Sequence, residues 1–106
     1  MIHISLNFHA YGNLFVTPYN FDWSDENEQL KGEQRIIYEQ LLNDLHLPPG
    51  NKPGNAVNTV NYPANGEMSD WVLSEYGIIS LSPELGTNDY RTNTFFIRQE
   101  TVLREL

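Results

Sequence analysis

Ile2-His3-Ile4-Ser5-Leu6-Asn7-Phe8-His9 alternates apolar and polar residues without a break. A period of two is the pattern of a β-strand with one apolar face. Ile2, Ile4, Leu6 and Phe8 take that face, and His3, Ser5, Asn7 and His9 take the other. Gly77-Ile78-Ile79-Ser80-Leu81-Ser82-Pro83-Glu84 reads the same way. Ile79 and Leu81 share one face there, and Ser80, Ser82 and Glu84 the other. His9 and Glu84 thus stand at the C-terminal ends of two strands, each on the more polar face.

Tyr11-Gly12-Asn13 reads as a turn, and Leu14-Phe15-Val16 as a short strand stopped at Pro18. Ser24 to Asn27 is polar and acidic, which suits a helix start. From about Glu33 to Leu45 the spacing is helical, with Ile37, Leu41 and Leu45 on one stripe widened by Tyr38 and Leu42. Pro48-Pro49-Gly50 ends that helix. Asn51 to Asn65 is rich in Asn, Gly and Pro and predicts a long loop, with a short extended piece near Val57–Val60. Met68 to Glu75 predicts a short helix holding Trp71, and Arg98 to Leu106 a last amphipathic helix.

Strands that alternate with helices predict a single α/β domain without internal repeats. Ligands of open α/β sheets sit outside the carboxyl ends of the strands. If the strands of His9 and Glu84 run parallel and close together, the two side chains meet in one crevice.

Composition narrows the chemistry. The chain has 106 residues, 40% of them hydrophobic, which suits one small domain with a core. Acidic residues outnumber basic ones by 14 to 6, so nucleic acid and anionic membranes are poor partners. No cysteine is present, which removes disulfides, thiolate catalysis and sulfur-ligated zinc. The N-terminus shows no basic leader followed by an apolar run, and no stretch approaches membrane-spanning length. None of this assigns a compartment.

Three blocks carry a family resemblance. Phe8-His9-Ala10-Tyr11-Gly12-Asn13-Leu14, followed by Thr17-Pro18-Tyr19, resembles the segment of zinc carboxypeptidases around their last metal ligand. Tyr62-Pro63-Ala64-Asn65-Gly66, followed by Asp70-Trp71, resembles their mobile tyrosine loop. Gly77-Ile78 and Ser82-Pro83-Glu84-Leu85-Gly86 resemble the strand that carries their catalytic glutamate. The blocks occur in the family's order and span nearly the whole chain.

The resemblance implies a carboxypeptidase A-like zinc metallocarboxypeptidase that hydrolyses the last peptide bond of a peptide or protein. Its implied fold is a partial carboxypeptidase-like mixed sheet with flanking helices, residues 1–106 being the C-terminal, incomplete portion of the domain. His9 is implied as a zinc ligand. Glu84 is implied as the catalytic base that takes a proton from zinc-bound water and passes it to the leaving amine. Tyr62 is implied as a catalytic and substrate-binding residue that swings over the substrate's terminal carboxylate. Ser69 is implied as a neutral residue lining the side-chain pocket, and Asp70 and Trp71 as structural. Non-proline cis peptides are implied at Ala10–Tyr11 and Pro18–Tyr19.

The pattern also departs from the family. The His-x-x-Glu pair that supplies the other two zinc ligands is absent: Leu6, Gly12 and Pro49 stand at that spacing after His3, His9 and His46. The family's Asn-Arg pair for the substrate carboxylate lies upstream of the third ligand and is missing. Gly86-Thr87 stands where many members have Arg-Asp. Catalytic zinc takes three protein ligands, so one histidine predicts poor zinc binding and no peptidase activity by this chain alone. The missing N-terminal part of the domain is then an expected partner. The alternative is a non-catalytic carboxypeptidase-like binding or scaffold module.

Overall fold

The structure is a computed structural model that describes residues 1–24 and 29–86. The readings at residues 25–27 and at Arg98–Leu106 lie outside the described residues. Among the described residues five strands form one mixed sheet: β1 (Ile4–Leu6), β2 (His9–Ala10), β3 (Leu14–Val16), β4 (Lys52–Gly54) and β5 (Ile79–Leu85). Three helices accompany it among the described residues: α1 (Gly32–Asp44), α2 (Ala56–Val60) and α3 (Met68–Tyr76). The chain is an α/β domain, as its pattern predicts.

β5 organises the sheet. β1 and β2 both pair with it in parallel, and β3 pairs with its other side antiparallel. β4 continues the sheet beyond β3, parallel to it. The strand expected over Ile2–His9 is divided into β1 and β2, yet its register is unbroken. Ile4 faces Ile79, Leu6 faces Leu81 and His9 faces Glu84 at one constant offset. That offset sets the break at Phe8 opposite Pro83, whose ring nitrogen has no N–H to give a ladder. The Asn7 amide still donates to the Leu81 carbonyl at 2.9 Å.

Two expectations need correction. Asn51–Asn65 is not one long loop, because Lys52–Gly54 is a strand. Val57–Val60 is not extended but part of α2. β4 consists of Lys-Pro-Gly, which has no strand signature. It exists through pairing with β3 and through the Thr17 amide, which donates to the Gly54 carbonyl at 3.0 Å. α2 is too short to be stable alone. The Asn55 side chain caps it by accepting from the Asn58 amide, and Asn61 ends it in the left-handed region at φ 65°.

The core gathers Leu30, Tyr38 of α1, Leu73 of α3 and Leu81 of β5, with Phe15, Tyr19, Leu41 and Ile79 packed around them. Tyr38 fills a further role. β3 reaches only as far as Ser82, so the β5 edge at Ser80 lacks a strand partner there. The Tyr38 hydroxyl donates to the Ser80 carbonyl at 2.9 Å and accepts from the Ser80 amide at 3.0 Å. A buried backbone pair is thereby satisfied. The predicted α1 stripe is only partly buried: Tyr38 is 2% exposed, but Ile37 and Leu45 remain exposed.

Both non-proline cis peptides implied by the resemblance are present, at Ala10–Tyr11 and Pro18–Tyr19. No helix among the described residues is long and apolar enough to cross a membrane.

Candidate functional site

Side chains of partners in a parallel ladder project to the same side of the sheet. The constant offset between β1–β2 and β5 therefore sorts the sheet into two faces. Ser5, Asn7 and His9 share one with Ser80, Ser82 and Glu84. Ile4, Leu6 and Phe8 share the other with Ile79, Leu81 and Pro83. His9 and Glu84 lie directly opposite each other on the polar face, in parallel and adjacent strands.

On its other side Glu84 pairs with Leu14 of β3, which is buried. This half-apolar setting has an electrostatic consequence. Burial pushes the Glu84 carboxyl above its ordinary value, as the largest of three effects. His9 pulls it down, and the carboxylate of Glu67 pushes it up again. A carboxylate made more basic by burial is suited to accept a proton.

Glu67 is the member of this cluster that carries no sequence motif. It precedes α3 and caps it, accepting from the Ser69 amide at 3.2 Å and the Ser69 hydroxyl at 3.0 Å. The Ser82 hydroxyl donates to both of its oxygens at 3.1 Å. His9 Nε2 lies 3.8 Å from its Oε1 and 2.8 Å from Asn7 Nδ2. One carboxylate therefore links the first turn of α3 to the polar face of β5 and to the imidazole. An acidic residue just before a helix is a capping signal, but only the folded chain places it beside His9.

The structure thus brings His9, Glu84 and Ser69 into one neighbourhood, Ser69 through its bonds to Glu67. Ser69 is fully buried in the first turn of α3. Tyr62 lies on the segment between α2 and α3 and is 58% exposed. Asp70 accepts from the Asn20 amide at 2.7 Å and from Asn20 Nδ2 at 2.8 Å, and Trp71 packs edge-on against Tyr76.

The opposite face is apolar. A groove of about 380 Å³ is lined by residues that include Ile4, Leu6, Phe15, Leu41, Leu81 and Glu84.

Residues 1–105 match the zinc carboxypeptidase family. The chain belongs to that family. No significant match was found among curated proteins. Zinc carboxypeptidases hold a metal ion, and the donors here can be tested against that need. Among the described residues, no group of three or more His, Cys, Asp or Glu could hold a metal ion. Around His9, the Glu67 carboxylate is already committed to Ser69 and Ser82. The described donors do not by themselves form a zinc site.

Proposed function

We propose that this zinc carboxypeptidase-family chain is the C-terminal portion of a domain that removes the last residue of peptides or proteins. The observation that carries the proposal is the register that sets His9 opposite Glu84 on one polar face. His9 is assigned as one zinc ligand, the others coming from outside residues 1–106. Glu84 is assigned as the base: it takes a proton from the attacking water as the new C–O bond forms. It then gives that proton to the amine nitrogen as the peptide C–N bond breaks. The burial that raises Glu84 supports this assignment.

Tyr62 is assigned to the substrate's terminal carboxylate. Its exposed position on the segment between α2 and α3 supports a residue that closes over bound substrate. Ser69 is assigned to the lining of the side-chain pocket, where it presents no charge of its own.

Because the described donors do not complete a metal site, this chain alone is expected to bind zinc poorly and to hydrolyse no peptide. Isothermal titration of zinc into the purified chain tests this, and submicromolar binding that depends on His9 contradicts it. The incomplete donor set also favours a second reading, a non-catalytic carboxypeptidase-like module. The coding sequence directly upstream separates the two: an open frame encoding His-x-x-Glu supports the enzyme, and its absence supports the module.

A further inference from the structure

Tyr62 rides on a segment whose two ends meet a single residue. The Ala56 amide, at the start of α2, donates to Asn20 Oδ1 at 2.7 Å. The Ala64 amide, two residues beyond Tyr62, donates to the Asn20 backbone carbonyl at 2.7 Å. Residues 56–64 are therefore an arch with both feet on Asn20. Between the feet, the residues flanking Tyr62 are Asn61, in the left-handed region, and Pro63.

Asn20 is itself held. It is 0% exposed, its amide and Nδ2 both donate to Asp70, and Asp70 lies in the first turn of α3. The same turn is capped by Glu67, which faces His9. A second asparagine reinforces the footing: Asn55 Nδ2 donates to the carbonyls of Tyr19 and Ser24. Every polar group of the Asn20 side chain is thus used, its Oδ1 by the arch and its Nδ2 by α3.

We propose that Asn20 is the positioning residue of the tyrosine arch: it pins both feet to the helix that borders the site, so that displacement of Tyr62 is confined to the span between Ala56 and Ala64. This rests on the reading of Tyr62 as the residue that covers substrate. Asn20 touches no substrate and acts only through the arch.

The asparagine–aspartate pair permits a sharp test on the full chain. Asn20→Asp sets two carboxylates against each other, and Asp70→Asn sets an amide donor against the Asn20 donors. The double exchange, Asn20→Asp with Asp70→Asn, restores an acceptor for each donor. Amide hydrogen exchange is read residue by residue by NMR. Each single variant breaks the side-chain bond between residues 20 and 70, and the loosened footing is expected to speed exchange at Ala56 and Ala64 about tenfold, with β5 amides unchanged. The double exchange is expected to return both amides to the native rate. Equal acceleration in β5, unchanged Ala56 and Ala64, or failure of the double exchange to restore them overturns the proposal.

Should the single variants not fold, Ala64→Pro removes one foot's N–H and leaves Asn20 intact. Backbone order at Asn61 and Tyr62 is then expected to fall while β5 stays as ordered as before; unchanged order at Tyr62 overturns the proposal. These readouts need no catalysis. In a domain completed by the upstream zinc ligands, a Tyr62→Phe substitution that leaves peptide hydrolysis undiminished would therefore overturn the functional reading separately from the anchor.

Discussion

Glu84 lies between His9 on β2 and Leu14 on β3, Cα opposite Cα on both sides. One neighbour is a polar ring and the other a buried aliphatic chain. A strand slip of one residue would send the imidazole or the carboxylate through the sheet to the apolar face. The pairing is protected against such a slip because β1 runs ahead of β2 in the same register, with Ile4 and Leu6 already matched to Ile79 and Leu81.

Tyr38→Phe tests the edge of β5. The phenol is buried and its hydroxyl serves both the amide and the carbonyl of Ser80. Removing it keeps the ring packing and leaves two buried backbone groups unpaired. We expect a loss of about 1–3 kcal/mol in unfolding free energy, read from urea denaturation.

Asp70 predicts a pH dependence. Burial pushes its carboxyl up from 3.8 to about 6, against the two Asn20 bonds that lower it. The folded chain therefore holds this proton over a range where the unfolded chain has lost it. The stability this gives is fully present below the unfolded value and is lost as pH rises through about 6. The stability difference between the native chain and Asp70→Asn is expected to shrink between about pH 4 and about pH 7, measured by denaturant midpoints at each pH.

Gly77 closes α3 in the left-handed region at φ 63°, its amide donating to the Leu73 carbonyl at 2.9 Å. A Cβ added there meets nothing within 4 Å. The cost of Gly77→Ala is then conformational alone, about 1–2 kcal/mol. Thermal unfolding should show that loss without any change in the spectra of β5 residues.

Ile2 to His9 and Ile79 to Glu84 were legible because a half-buried strand writes its two faces into alternate positions. The polar face that holds His9 and Glu84 follows directly from that alternation. Three features were not legible, each for a physical reason. The break between β1 and β2 depends on which residue faces Pro83, and so on a register that only pairing reveals. β4 and α2 have weak local preferences and form because β3 and the Asn20–Asn55 amides supply their hydrogen bonds. Glu67 stands close to Tyr62 in sequence but far from His9, and only the docking of α3 on β5 joins them. The apolar stripe of α1 misled in part: Ile37 and Leu45 remain exposed among the described residues.

All of the functional assignment stands on the side chains at the two strand ends sharing one gap. The most direct measurement is the nuclear Overhauser effect between the ring protons of His9 and the side-chain methylenes of Glu84 in the labelled chain. A cross-peak between them is predicted, together with one from the Glu84 methylenes to the methyl groups of Leu14. Contacts from the His9 ring to Pro83 or Leu85 instead, with none to Glu84, would place the imidazole on the apolar face and contradict the account.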